Sequence, residues 1–197
     1  MKTTILTIAI LLVTVFGISK STYAATGSNE EAITLTDVSN ISKIEVHGNV
    51  ELYLSDGVTD KVKVYNHYYA ERALVQNVNG VLRISSYGAQ KLVVWVTVSD
   101  LRNLSAYDNA EVKSFGKLSA IDLDVKLYDR ALAQLNLDTY QTNISLNDRA
   151  KADLSGSITE GELHYDRSAS LNTSNLAATN LIKTMNFYSR RSELASL

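Results

Sequence analysis

Four short segments of the sequence share one pattern: an aromatic or amide residue, an aspartate, a basic or amide residue, and a small residue. They recur at intervals of about 20 residues, a length typical of structural repeats. An aromatic ring can pack on a sugar, and carboxylates and guanidinium groups provide directional hydrogen bonds. Stacked copies could therefore form a glycan-binding stripe. The segments are Tyr107-Asp108-Asn109-Ala110, Tyr128-Asp129-Arg130-Ala131, Asn147-Asp148-Arg149-Ala150 and Tyr165-Asp166-Arg167-Ser168.

A fifth, degenerate copy is found at Tyr188-Ser189-Arg190-Arg191. The alternative to ligand binding is a structural role, in which the tyrosines cover the core edge and neighbouring Asp and Arg neutralise each other. Aspartate also suits a sharp reversal, because it tolerates positive φ better than most residues. The candidate ladder residues are Tyr107, Tyr128, Tyr165, Tyr188, Asp129, Arg130, Asp148, Arg149, Asp166 and Arg167.

Other residue types that carry chemistry lack a useful spacing. His47, His67 and His164 lie far apart and there is no Cys, which gives no support to a zinc site or a nucleophilic triad. Arg follows Asp directly in three copies and would compete with calcium for the carboxylates. The remaining acids are too numerous to select a glycosidase pair. The sequence therefore predicts no catalytic residue, no metal and no cofactor.

The recurring segments require a repetitive β-structure to position them. Each interval holds further alternating apolar stretches, such as Ile121, Leu123 and Val125. Two strands per interval with a turn at each end describe coils that stack about 4.8 Å apart, with apolar residues inside. The sequence predicts an all-β fold whose second half is a β-solenoid of about five coils.

An N-terminal β-sheet layer is expected before these coils. Alternation predicts strands at Lys43 to Val46, at Val50 to Leu54, at Lys61 to Tyr65, at Leu74 to Val78, at Val81 to Ser85 and at Lys91 to Val98. The dipeptide Asn79-Gly80 is typical of a hairpin turn between two of these strands. Residues Tyr68 to Leu74 could form one helical turn.

The N-terminus has the features of a secretion signal. A basic Lys2, an apolar stretch from Ile5 to Ile18 and small residues ending at Ala24 predict cleavage after residue 24 and export to the periplasm, cell surface or medium. Residues 25–37 are expected to be a polar leader, 38–191 one domain and 192–197 a short tail. No transmembrane segment is expected after cleavage, and a net charge of −2 argues against nucleic acid as a partner.

The turn copies, the strand from Lys43 to Leu52, the step Gly80-Val81-Leu82-Arg83-Ile84 and the segment Val94-Trp95-Val96-Thr97-Val98 resemble the putative auto-transporter adhesin head domain, called the GIN domain, of Bacteroidota. The resemblance covers residues 38 to 191. It implies a fold similar to the right-handed, pectin-lyase-like β-helices, and an extracytoplasmic protein acting in adhesion. Asp stands here at turn positions where the family usually carries Gly.

These observations together predict an exported, non-enzymatic β-solenoid that acts as an adhesin or surface-interaction protein. The expected partners are a glycan or a cell-surface protein, and the uncovered end of the last coil could also support a homo-oligomer. The alternative is a carbohydrate-active β-helix enzyme, either a polysaccharide lyase or a hydrolase.

Overall fold

The computed structural model of the chain describes residues 32–35, 38–65 and 73–186. The predicted signal peptide, the C-terminal tail and the fifth turn copy with Tyr188 lie outside these residues. The described residues form 13 β-strands and no helix, so the all-β prediction is confirmed. Because they contain no helix, they also contain none long and apolar enough to cross a membrane.

Alternation of side chains defines most of the strands. In the strand Leu92–Val98, for example, every second residue is buried, because successive side chains of a strand point to opposite faces. The strands are β1 Ala32–Leu35, β2 Lys43–Gly48, β3 Val50–Asp56, β4 Lys61–Tyr65, β5 Ala73–Val78, β6 Val81–Ser86, β7 Leu92–Val98, β8 Asn103–Ala106, β9 Glu111–Ser114, β10 Leu118–Leu127, β11 Leu132–Leu146, β12 Lys151–Asp166 and β13 Ser170–Asn186.

All 13 strands belong to one sheet, which contains two runs of parallel neighbours. One run is β6, β2, β8 and β10, and the other is β7, β3 and β9. Strand β11 joins the runs, because its first residues pair with β9 and later ones with β10. The N-terminal strands are therefore not a separate layer before the repeats. They extend the same parallel runs because β2 and β3 share the inward alternation of β8 and β9.

The three C-terminal strands are long and stack on one another. Strands β11, β12 and β13 contain 15, 16 and 17 residues. They pair in parallel along most of their length, with one register shift between β12 and β13. The sequence suggested two short strands in each of these intervals, whereas the structure keeps a continuous strand.

One apolar core fills the inside of the curled sheet. Its central column passes from strand to strand through in-register neighbours, each at most 1 % exposed. Burying one such aliphatic side chain contributes about 1.5–3 kcal/mol, so this column is a main source of stability. Its members are Leu82, Ile44, Leu104, Val125, Ile144 and Leu163.

Antiparallel strands close the N-terminal side of the sheet. Strand β1, which lies within the predicted polar leader, pairs with β4, and β4 pairs with β7. The predicted hairpin at Asn79-Gly80 joins β5 to β6, and both residues have positive φ, 51° and 78°. Of the predicted helical turn at Tyr68 to Leu74, residues 73 and 74 belong to β5 and the rest lies outside the described residues.

Candidate functional site

Four reversals of the chain lie side by side along one border of the sheet. We call this surface the turn edge and define it as residues 107–110, 128–131, 147–150 and 166–169. Backbone hydrogen bonds hold neighbouring turns in register: Tyr128 N–H donates to Ala106 O at 2.9 Å and Asn147 N–H to Leu127 O at 2.8 Å. The sequence repeat thus corresponds to a spatial repeat for the first three copies.

The aspartate in each of the first three turns adopts a left-handed conformation. Asp108, Asp129 and Asp148 have φ values of 60°, 58° and 58°. Most side chains avoid this region, and Asp and Asn are among the few that enter it often. The interpretation of these residues as turn formers therefore matches their backbone geometry.

The carboxylates of these three aspartates and of Asp166 each bind a backbone group of the preceding step of the stack. In every case the Oδ2 atom accepts a hydrogen bond from a backbone N–H group one step back along the stack. These bonds satisfy backbone donors that the tight turn would otherwise leave without a partner. The bonds are Gly48 N to Asp108 at 3.0 Å, Asp108 N to Asp129 at 3.2 Å, Asp129 N to Asp148 at 3.4 Å and Asp148 N to Asp166 at 2.8 Å.

Gly48 begins this ladder, and its place admits no larger residue. It has a φ of 81°, and a Cβ atom there would lie 2.1 Å from Ser86 O. Its N–H group donates to Asp108, so the β2 to β3 step provides the first donor of the ladder without a copy of the turn motif.

Three aromatic rings stack beside these turns. The rings of His47 and Tyr107 lie 4.3 Å apart and within 3° of parallel, and those of Tyr107 and Tyr128 lie 4.8 Å apart and within 1°. The spacing matches the distance between neighbouring strands. Both faces of Tyr107 are therefore covered by other rings and are closed to a ligand.

The fourth turn departs from the predicted alignment by one residue. Tyr165 pairs in register with Leu146, an inward position, and so lies off the stack of Tyr107 and Tyr128. Asp166 takes the position of Asn147, since Ala169 N–H donates to Asp166 O as Ala150 N–H donates to Asn147 O. Aligning the fourth copy by its Tyr-Asp-Arg residues was therefore wrong by one position. Tyr165 continues an inward column of the core, and a large aromatic ring can fill that position as well.

This shift also moves the fourth arginine. Arg167 stands where the other turns have Asp, and Ser168 stands where Arg149 stands one turn earlier. The Ser168 hydroxyl donates to Asp148 O. The structure thus brings together Tyr107 with Tyr128, and Arg130 with Arg149, but places Tyr165 and Arg167 off those columns.

A shallow groove of about 460 Å³ runs along the turn edge. Arg130 and Arg149 line it, and both are exposed. Neither forms an ion pair with another described residue, so the expected neutralisation of Asp by Arg along the ladder is not seen. The aspartates are bonded to the backbone, and the two guanidinium groups face solvent.

The pattern of turns and strands has known relatives. The profile of the family described as "Putative auto-transporter adhesin, head GIN domain" matches residues 40–186. The chain belongs to this family. No curated protein sequence matches it.

Solved structures share the fold of this GIN domain. A crystal structure of a "putative adhesin" from Parabacteroides merdae ATCC 43184 has a TM-score of 0.59 at 14% identity, covering 79% of this chain and 77% of its own. A "putative adhesin" from Parabacteroides distasonis ATCC 8503 gives 0.58 at 16%, covering 80% and 79%. A "putative lipid binding protein" from the same strain gives 0.56 at 11%, covering 79% and 78%. At these identities the likeness establishes the fold alone.

A second group of aromatic residues, absent from the sequence-based predictions, lies on the outer face of this GIN domain. We call it the aromatic platform and define it as Tyr53, Tyr65, Trp95 and Phe115. Trp95 stacks on Tyr53 with centroids 4.7 Å apart, meets Tyr65 edge-on at 6.4 Å and lies 5.5 Å from Phe115 at a 56° tilt. The register of β4, β7 and β3 brings these residues together, which motif spacing could not reveal.

Ion pairs fix one side of the platform. Lys113 donates to Glu51 and stands 5.7 Å above the Tyr53 ring, and the Tyr53 hydroxyl donates to Glu51 at 2.9 Å. The hydrogen bond from Lys113 holds the pKa of Glu51 below its ordinary value and raises the pKa of Lys113. The same Glu51 carboxylate raises the pKa of Tyr53. Glu51 therefore stays ionised at neutral pH and positions both partners.

The acids and histidines outside these surfaces do not gather. His47 belongs to the ring stack, and His164 lies 3.6 Å from Glu162, while His67 lies outside the described residues. Within the described ranges, no group of three or more His, Asp or Glu side chains is placed to hold a metal ion.

Proposed function

We propose that this GIN domain is an exported, non-enzymatic adhesion module that holds a partner at the cell surface. The family description supports this proposal, as does a fold in which parallel strands and three equivalent turns stack in register. A repetitive surface presents the same contacts at regular spacing, which suits a repetitive partner such as a glycan. The enzyme alternative has no support in the family or in the adhesin neighbours.

We infer that the parallel runs are the coils of a β-solenoid. In support, each pass from β10 to β13 pairs in parallel with the next, and the two N-terminal runs continue into it. One core runs through all passes. A rigid rod of this kind keeps its outward side chains in fixed columns, and a large surface can be contacted without ordering a loop.

The observation that carries the proposal is the presence of two arginines on the turn edge that form no ion pair with any described residue. Arg130 and Arg149 occupy neighbouring turns, since Arg149 N–H donates to Asp129 O as Arg130 N–H donates to Asp108 O. Because the Asp108 and Asp129 carboxylates accept backbone hydrogen bonds, both guanidinium groups keep their donors for a partner. A guanidinium binds carboxylate and hydroxyl oxygens with defined geometry.

The test is adhesion of the purified protein to cell-surface glycan and protein arrays, comparing wild type with Arg130→Gln plus Arg149→Gln. We expect the double variant to lose about tenfold or more in affinity, which corresponds to about 1.4 kcal/mol. The matched control is Arg102→Gln, which removes an exposed arginine that pairs with Asp100 elsewhere on the surface.

Circular dichroism establishes that each variant is folded. Equal binding by wild type and the double variant would exclude the turn edge as the contact surface. Catalytic turnover of a bound glycan by the wild type would contradict the non-enzymatic role.

A further inference from the structure

The outer face of β3, β7 and β9 carries a second feature that the turn edge does not explain. Phe115 is 65 % exposed and leans over Trp95, at a turn where Gly116 has a φ of 84°. A single exposed ring is common on protein surfaces, whereas contiguous apolar patches mark interaction sites, and Phe115 extends such a patch because it packs against Trp95. The Phe115 ring thus offers apolar surface beside a fixed aromatic cluster.

The neighbouring strand gives this surface a positive border. Lys63 pairs directly with Trp95 across β4 and β7, and Lys61 pairs with Thr97. Both lysines are exposed, and neither forms an ion pair with a described residue. By contrast, Lys113 is engaged by Glu51.

Among the described residues, the acids close to these lysines already accept hydrogen bonds from other groups. Strands β4 and β7 contain no Asp or Glu. Asp60 accepts the N–H group of Ile41 and both the N–H and hydroxyl groups of Ser99, and Asp56 accepts the N–H group of Ser119. Since these carboxylates are bound to backbone and hydroxyl groups, Lys61 and Lys63 form no ion pair with them or with another described residue, and both ammonium groups can bind an acidic ligand.

Polar groups complete the surface. The hydroxyls of Ser55 and Thr97 lie 3.1 Å apart, between β3 and β7, and are half-buried at the platform's side. Hydroxyl pairs of this kind both donate and accept hydrogen bonds, as sugar hydroxyls do.

From these observations we propose that the aromatic platform with Lys61 and Lys63 is a binding site for an acidic polysaccharide. A pyranose ring packs on the exposed Phe115 face beside Trp95, and a uronate carboxylate is held by Lys61 and Lys63. Charge complementarity selects this occupant: a neutral glycan would leave the two ammonium groups unused, and a membrane would find only one strongly exposed ring here. This inference rests on the proposed function, because it assumes that the protein is a binding module. The aromatic platform is, however, a surface separate from the turn edge.

The experiment measures binding of the purified full protein to alginate and to its propylene glycol ester, in which the carboxylates are blocked. We expect alginate to bind, the ester to bind about tenfold more weakly, and the affinity for alginate to fall as salt rises from about 0.05 to 0.5 M, because screening weakens exposed charge pairs.

Three variants assign the site. Lys61→Gln plus Lys63→Gln should reduce alginate binding about tenfold and abolish the difference between alginate and its ester. Phe115→Ala should weaken both ligands by a similar factor, because it removes packing and not charge. Tyr140→Ala is the control, since it removes another exposed ring, 58 % accessible, from a different part of the sheet.

The outcomes separate this site from the proposed function. Alginate binding that is unchanged in the lysine and Phe115 variants, or lost only in the Arg130 and Arg149 variant, overturns the platform site and leaves the adhesion module intact. Adhesion to cells without any alginate binding has the same consequence. A further outcome is that the platform variants lose binding to a protein on the arrays while alginate does not bind to the wild type. In that case the occupant of the platform is a protein, and the polysaccharide inference is wrong.

Discussion

At the scale of single residues, the turn edge shows one side chain type meeting two demands. Asp129 must accept a φ of 58° and must also accept the hydrogen bond of Asp108 N–H at 3.2 Å. Glycine would meet the first demand only. The backbone donors that stacked turns expose therefore explain why Asp, and not Gly, suits this position.

Substitutions at Asp129 can separate these two contributions. We expect Asp129→Asn to be nearly neutral, because Asn tolerates positive φ and keeps an acceptor oxygen. Asp129→Gly should cost about 1 kcal/mol for the lost hydrogen bond, and Asp129→Ala about 2 kcal/mol, because left-handed strain is added. Urea unfolding measures the free energies. If Ala is tolerated as well as Gly, the conformational argument is wrong.

The sequence revealed the turn chemistry at this scale but not the register of the fourth copy. Asp108, Asp129 and Asp148 were identifiable because positive φ restricts the residue types allowed. Tyr165 was not, since an inward tyrosine and an outward tyrosine look alike in a motif. The platform was also hidden, because Trp95 and Phe115 meet through pairing between distant strands.

At the scale of elements, alternation located most strands because each has one buried face. Strand β4 at Lys61–Tyr65 was predicted with its observed bounds. Strand β1 was missed, because four residues without a turn signal carry too little pattern. The length of β12 and β13 was also missed, since the burial pattern of both strands departs from the strict alternation that marks a strand.

The tie between β3 and β9 predicts how stability depends on pH. The hydrogen bond from Lys113 lowers the pKa of Glu51 in the folded state, so its stabilisation is present above the unfolded pKa, about 4.3. It is lost as the pH falls through the lower, folded pKa. We expect Glu51→Gln to be less stable than wild type at pH 7, and the difference to shrink toward pH 3.

Urea unfolding at a series of pH values tests this expectation. The control is Glu162→Gln, which removes a carboxylate that is 61% exposed. A stability difference between wild type and Glu51→Gln that stays constant from pH 7 to pH 3 would contradict the role of the ion pair.

At the scale of the whole molecule, the sheet ends on β13, which among the described strands pairs with β12 only. At this end a lysine replaces the aliphatic residues of the central core column. Ile144 and Leu163 are buried, and the next residue in register, on β13, is Lys183. Its Nζ atom donates to Thr173 Oγ1 at 2.6 Å. An inward charge on an edge strand discourages pairing with another sheet.

Lys183 therefore decides how readily copies associate through this end. We expect Lys183→Leu to increase self-association, because the substitution continues the apolar column to the exposed end and removes the charge that a second copy would have to bury. Light scattering after size-exclusion chromatography, over a concentration series, measures the change. Lys151→Leu is the matched control, since Lys151 is an exposed, outward-facing residue of β12, one strand before the edge strand. Equal association of wild type and Lys183→Leu would show that the inward charge does not protect the edge, whereas association by both leucine variants would point to general surface hydrophobicity.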